Sequence, residues 1–213
     1  ILPYQEIDLT DISVPEQLPV FSYGCDSSYS WSRRFKKIQR NGTAEEVADE
    51  LYQLMYDYRT HVAFTGGEPM MKAGQKNIVK VIKHLKDNFT VDNHRGYLTN
   101  VTFETNGTRP ITEELRLLIK SDIIVHNTEY FFSVSPKIWS TSGEKDRICP
   151  EIVKGYYDAR NTVPSNSSGQ LKFVCNGTND SWNEIEDAIK QFRDAGVYWP
   201  IWIMPVGATE ESQ

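Results

Sequence analysis

The sequence predicts an α/β fold whose parallel sheet curls into a partial (β/α)6-type barrel, and three observations predict it. Short β-type apolar stretches recur along the chain, helical periodicity separates them, and polar residues gather where the stretches end. The strands are read at Val20-Phe21, Val62-Ala63-Phe64, Val101-Thr102-Phe103, Phe131-Phe132-Ser133-Val134, Leu171-Lys172-Phe173-Val174 and Ile201-Trp202-Ile203-Met204. Their apolar character suits strands buried on both faces. Strand and helix alternate at roughly 30 to 40 residues per unit, which requires right-handed crossovers and hence a parallel sheet. About six units is too few for a full eight-stranded barrel, so a partial barrel is favoured over a flat doubly wound sheet.

The first helix has Val47, Leu51, Leu54, Met55 and Tyr58 on one side, with Thr43-Ala44-Glu45-Glu46 before it as a capping box. A second carries Ile78, Ile82 and Leu85, and a third, following Pro110, carries Ile111, Leu115, Leu118 and Ile119. A fourth, around residues 150–160, has a weaker pattern. The last is expected to begin with the capping box Ser181-Trp182-Asn183-Glu184, to bury Ile185, Ile189 and Phe192, and to stop near Gly196. The most loop-like stretches are Ser140 to Arg147 and Pro164 to Gly169, either of which suits a mobile lid.

The chain of 213 residues is long enough for one substantial core, so a single domain over 1–213 is expected. With 39% hydrophobic and 12% aromatic residues, its composition is that of an ordinary soluble globular protein. A formal charge of -6 and a pI near 5.3 argue against a broad nucleic-acid or anionic-membrane surface and for a small-molecule partner. The densest basic run, Arg33-Arg34-Phe35-Lys36-Lys37, reads as a solvated face. No apolar run reaches transmembrane length and no leader pattern opens the sequence, so the cytoplasm is the expected location. Three cysteines, Cys25, Cys149 and Cys175, do not make a secreted disulfide framework. The Asn-x-Ser/Thr triplets, such as Asn41-Gly42-Thr43 and Asn106-Gly107-Thr108, therefore read as chance or as turns.

In parallel α/β folds the ligand lies outside the carboxyl ends of the strands. Those ends are Gly24-Cys25-Asp26-Ser27, Thr65-Gly66-Gly67-Glu68-Pro69, Glu104-Thr105-Asn106-Gly107-Thr108, Ser133-Val134-Ser135-Pro136-Lys137, Cys175-Asn176 and Pro205-Val206-Gly207. Two adjacent glycines let the main chain approach a ligand, and Glu68 beside that bare backbone suits an ammonium group.

Thr65-Gly66-Gly67-Glu68-Pro69 resembles the motif by which radical S-adenosylmethionine (SAM) enzymes grip the amino group of their cofactor. Cys25-Asp26-Ser27-Ser28-Tyr29-Ser30-Trp31, Phe103-Glu104-Thr105-Asn106-Gly107-Thr108 and Ser133-Val134-Ser135-Pro136-Lys137, in this order, resemble the 7-carboxy-7-deazaguanine synthase family within that group, with Leu171-Lys172-Phe173-Val174 and Ile203-Met204-Pro205 as weaker support. The likeness runs from about residue 19 to 209. It implies a modified radical SAM core, with Cys25 as the last of three thiolates on a [4Fe–4S] cluster, in a loop near 21–31, and Ser27 as a magnesium ligand. Gly66, Gly67, Glu68, Ser133, Ser135, Pro136 and Lys137 would hold SAM, and Thr65, Glu104 and Asn106 would meet the substrate. The implied reaction starts from a 5′-deoxyadenosyl radical and contracts the ring of 6-carboxy-5,6,7,8-tetrahydropterin with loss of ammonia. An external electron donor such as flavodoxin, and a homodimer, go with it.

The pattern departs from the family at two places. Counting back from Cys25 along C-x3-C-x2-C gives Ser22 and Leu18, and Ser13-Val14-Pro15-Glu16 stands roughly where a Gln-Gly-Glu-Gly substrate loop is expected. Either the cluster has been lost or the sequence omits residues near Val14-Pro15 and Phe21-Ser22; the abrupt passage from Val20-Phe21 into Tyr23-Gly24-Cys25 favours omission. A glycyl-radical activase, or a cluster-free protein that binds SAM or a pterin, remain the alternatives. Phosphate-loop, dinucleotide, zinc-protease and nucleophile-elbow motifs are absent from the sequence. The four histidines, His61, His84, His94 and His126, lack ligand spacing, Cys149 and Cys175 read as inert, and Trp199 and Trp202 read as core or dimer packing.

Overall fold

A computed structural model of the chain describes residues 8–18, 28–55, 59–88, 97–159 and 168–206. Within them five strands, β1 (Arg59–Phe64), β2 (Tyr97–Thr105), β3 (Glu129–Val134), β4 (Gly169–Cys175) and β5 (Ile201–Pro205), form one sheet in the order β1-β2-β3-β4-β5. Every neighbouring pair is parallel. In such a sequential order each right-handed crossover moves on in the same direction, so the connecting helices all land on one face. A doubly wound sheet would reverse its order partway. The expected α/β partial barrel is therefore what the chain forms, as an open wall of five described strands. The strand expected at Val20-Phe21 lies outside the described residues.

The helices are α1 (Ser28–Trp31), α2 (Ala44–Leu54), α3 (Lys72–Asn88), α4 (Glu113–His126), α5 (Trp139–Ser142), α6 (Pro150–Ala159) and α7 (Asn179–Asp194). Contacts run from α2 to α3, α3 to α4, α4 to α6 and α6 to α7, which is a single layer. Ile78, Ile82 and Leu85, then Leu115, Leu118 and Ile119, then Ile185 and Phe192 are buried, as their periodicity predicts. They meet Val101, Phe103, Tyr130, Phe132, Val134, Leu171 and Phe173 from the sheet. An aromatic column runs through this core, with ring centroids 5.1 Å apart for Phe103 and Phe132, 5.0 Å for Phe132 and Tyr156, and 6.2 Å for Phe132 and Trp199. Trp199 is core, and its indole N–H donates to Ser168 Oγ at 2.9 Å. Trp202 is not, at 58% exposed.

A buried polar cluster sits in the same layer. Lys86 Nζ lies 2.8 Å from Asp122 Oδ2 and donates to Thr128 Oγ1 at 2.7 Å, and the Tyr130 hydroxyl donates to Asp122. Burial lowers the pKa of Lys86 against the opposing pull of Asp122, and raises that of Tyr130.

Three expectations are corrected. The core stripe of α2 is Ala48, Tyr52 and Met55, with Leu51 half-buried, whereas Val47 and Leu54 are exposed and Tyr58 lies outside the described residues. Two adjacent helical faces carried apolar residues, and packing against α3 selected the one with the alanine. Helix α7 starts at Asn179, capped by Thr178 Oγ1 accepting from Ser181 N at 3.2 Å, so Ser181 is a buried residue of the first turn rather than the cap. The Thr43 capping box does form, with Glu46 N donating to Thr43 Oγ1 at 3.2 Å and Thr43 N to Glu46 Oε2 at 2.8 Å. Finally, the strands are not buried on both faces: burial along β4 alternates strictly, with Gln170, Lys172 and Val174 on the side away from the helices. Of the two expected loops, Ser140–Arg147 includes most of α5, and Pro164–Gly169 is described only at Ser168 and Gly169.

Candidate functional site

The face on which none of the described helices packs carries polar side chains in register. His61, Asn100 and Glu129 form one row across β1, β2 and β3; Ala63, Thr102 and Phe131 form the next; Glu104, Ser133 and Gln170 form a third on β2, β3 and β4. Rows two residues apart lie about 6.6 Å apart along the strands. A cavity of about 310 Å³ lies against this face, lined by side chains of all three rows, a volume in the range of small-molecule sites. Its side chains pair with one another: His61 Nε2 is 2.7 Å from Thr102 Oγ1, Asn100 Nδ2 donates to Glu129 Oε2 at 3.2 Å, and Gln170 Nε2 donates to Ser133 Oγ at 3.0 Å.

The upper row ends at the glycine loop. Thr65, one residue past β1, donates to Glu104 Oε2 at 3.3 Å. Gly66 and Gly67 follow with φ of 75° and 57°, a conformation that side chains resist, so both glycines are demanded by the backbone. A Cβ at Gly66 would stand 3.1 Å from Ser30 Oγ of α1, which places this loop beside the segment just after Cys25. Glu68 turns back into the protein. Its Oε1 accepts from Thr105 Oγ1 at 2.6 Å and from Met70 N at 2.9 Å, and its Oε2 from Asn106 N at 2.8 Å. Three of about four acceptor positions of the carboxylate are thereby used in joining the loop after β1 to the loop after β2. The Tyr156 ring lies under this joint; burial first, and the Glu68 charge second, push its hydroxyl pKa up, and it stays neutral and donates to the Arg109 carbonyl.

Thr65, Glu104 and Ser133 are thus brought together at one level of the cavity. Asn106 is not brought in by its side-chain oxygen, which accepts from Thr108 N at 3.0 Å and Thr108 Oγ1 at 2.7 Å and so closes its own turn. Ser135 is tied to the rim by its backbone N–H, which donates to the Thr105 carbonyl at 2.8 Å, and Pro136 beyond it is buried while Lys137 is half-buried. Cys25 and Ser27 lie outside the described residues.

Several site residues escaped the sequence reading: His61, Asn100, Thr102, Glu129 and Gln170. Alternation was their signal, since Asn100, Thr102 and Glu104, and again Gln170 and Lys172, are spaced by two within strands read as uniformly apolar. Gln75 was missed as well. It is fully buried and ties the two rim loops, donating to Met70 O at 2.5 Å and Pro110 O at 2.9 Å and accepting from Thr112 N at 2.7 Å. A glutamine in the apolar stripe with Ile78 and Ile82 marks it.

SAM is tested by what this rim offers. Bare glycine backbone, the Thr65 hydroxyl and the Ser135-Pro136-Lys137 segment lie just past the carboxyl ends of β1 and β3, and these residues fit an amino-acid end of a ligand. A [4Fe–4S] cluster fits less well. The three thiolates it requires would fall at Leu18, Ser22 and Cys25. Cys175 is buried at the end of β4, its Sγ accepting from Gly177 N and Ser181 Oγ at 3.4 Å each, and Cys149 is half-buried just before α6. Among the described residues no group of three or more His, Cys, Asp or Glu is gathered as a metal site, and no helix is long and apolar enough to cross a membrane.

A family model described as the Radical SAM superfamily matches residues 22–212. A 7-carboxy-7-deazaguanine synthase of Rhodopirellula baltica (strain DSM 10527 / NCIMB 13988 / SH1) is 30% identical over 196 residues, which is 88% of this chain and 62% of that protein. The chain therefore spans a little under two thirds of that relative's length. No solved structure matches.

Proposed function

The chain belongs to the radical SAM superfamily, and from that premise we propose that it acts as a 7-carboxy-7-deazaguanine synthase. The proposed reaction is the ring contraction of 6-carboxy-5,6,7,8-tetrahydropterin to 7-carboxy-7-deazaguanine with loss of ammonia. Membership implies SAM and a [4Fe–4S] cluster, which in this superfamily supply a carbon radical. The observation that carries the reading is the convergence of Thr65, Glu104 and Ser133 beside the double-glycine loop, where a cofactor on the rim and a substrate in the cavity would touch.

In this reading the Gly66-Gly67 backbone and the Ser135-Pro136-Lys137 segment hold the methionine end of SAM, Glu68 fixes the glycine loop, and Thr65 and Glu104 orient the pterin. Magnesium assistance through Ser27, a single domain over 1–213, a homodimer, an external electron donor such as flavodoxin and a cytoplasmic location belong to the same proposal. The residues of this chain do not complete a three-thiolate set at Cys25, and no step is routed through the cluster. That same observation favours a second reading, a cluster-free protein that binds SAM or a pterin without turnover.

The deciding experiment reconstitutes the full-length gene product anaerobically with iron and sulfide, and supplies reductant, SAM, magnesium and 6-carboxytetrahydropterin. Formation of 5′-deoxyadenosine together with 7-carboxy-7-deazaguanine is the expected outcome. 5′-Deoxyadenosine alone points to another substrate. No cluster and no cleavage, in protein whose intact mass equals the 24.5 kDa of this sequence, establishes the binding protein instead.

A further inference from the structure

Lys172 has no role in the site as described so far, yet its position is specific. Its side chain leaves β4 on the cavity face, one step above Gln170, and reaches over β3 to bring Nζ 3.7 Å from Glu104 Oε1 on β2. That separation is longer than a hydrogen bond, so the pair is held by charge and can be parted by a ligand that satisfies both ends. The Lys172 side chain is 23% exposed and that of Glu104 48%.

A ligand entering between Glu104 and Lys172 must offer an anion to one and N–H donors to the other, because a half-buried charge stripped of its partner costs more than the pair was worth. We infer that Lys172 is a specificity residue that takes the carboxylate of a carboxylated pterin, while Glu104 accepts from its ring N–H groups. The inference rests on the substrate proposed above and adds which residue reads the 6-carboxylate.

The test is equilibrium binding of 6-carboxytetrahydropterin and of tetrahydropterin, which lacks the carboxylate, to the full-length protein under anaerobic conditions, by calorimetry. SAM is titrated in parallel. The unmodified protein is expected to prefer the carboxylated compound by about tenfold to a hundredfold, the range of a charge-assisted hydrogen bond. Lys172→Met should abolish that preference while leaving tetrahydropterin and SAM affinities within about twofold, and Lys172→Arg should restore most of it. Three outcomes overturn the inference alone: a preference that survives in Lys172→Met, an equal loss for both pterins, or a loss confined to SAM. Failure of the unmodified protein to bind either pterin overturns the proposed substrate, and the inference with it.

Discussion

On β2, Val101 and Phe103 point into the helix layer and are fully buried, whereas Asn100, Thr102 and Glu104 of the same strand face the cavity. The same division holds on β4, where Leu171 and Phe173 are core and Gln170 and Lys172 are not. One strand thus contributes to stability and to the ligand site at once, kept apart by the two-residue period of the backbone. The helix face gains from excluding water and from dense aromatic contact. The cavity face keeps its polar groups hydrogen-bonded in pairs that a ligand can exchange. A substitution should therefore report on one function or the other according to which face it lies on.

The sharpest way to break this comparison is Phe132→Ala. The ring is fully buried and stacks on Phe103, Tyr156 and Trp199. Chemical denaturation should show a loss of about 3–5 kcal/mol; a loss below about 1 kcal/mol would mean that the helix face is not the core. Asp122→Ala comes next, since it takes the buried carboxylate away from the Lys86 ammonium and the Tyr130 hydroxyl. A loss of about 3 kcal/mol in the same measurement is expected, which would show that a polar group on the helix face behaves as core when its partners are buried with it. At the boundary of the two regions, Glu68→Ala removes the acceptor for Thr105, Asn106 and Met70. It should cost about 1–3 kcal/mol and weaken SAM binding as well, a double effect that neither face alone would give. The smallest effect belongs to Thr102→Val on the cavity face, which replaces the hydroxyl at His61 by a methyl. Stability should stay within about 0.5 kcal/mol; a loss of several kcal/mol would show that this face is structural too.

Much of the fold was legible because its signals are local. Five of the expected strands and the four best-marked helices lie where short apolar runs, capping residues and Gly196 placed them, and Gly196 does end α7 with φ of 82°. The α7 start was misread because Ser181-Trp182-Asn183-Glu184 has the form of a capping box, while Thr178 three residues earlier has the backbone conformation of one. The α2 stripe was misread because large apolar residues outweighed Ala48, although a small residue is what close helix packing accommodates.

The sequence by itself determined the alternation of strand and helix, the parallel sheet that follows from it, and the strand ends at which glycines, a carboxylate and hydroxyls would gather. Each of these rests on residues a few positions apart, so the backbone period and the turn-forming residues suffice to declare them. Tertiary structure decided the direction of winding, which put the described helices on one face of the sheet, and the register that sets Glu104 against Ser133 and Ser133 against Gln170. It also turned Glu68 inward to Thr105 and Asn106 and brought Lys172 over Glu104. Those partners lie tens of residues apart, and no local period encodes their meeting; the packing of the helix layer fixes the strands, and the strands then align the side chains of the opposite face.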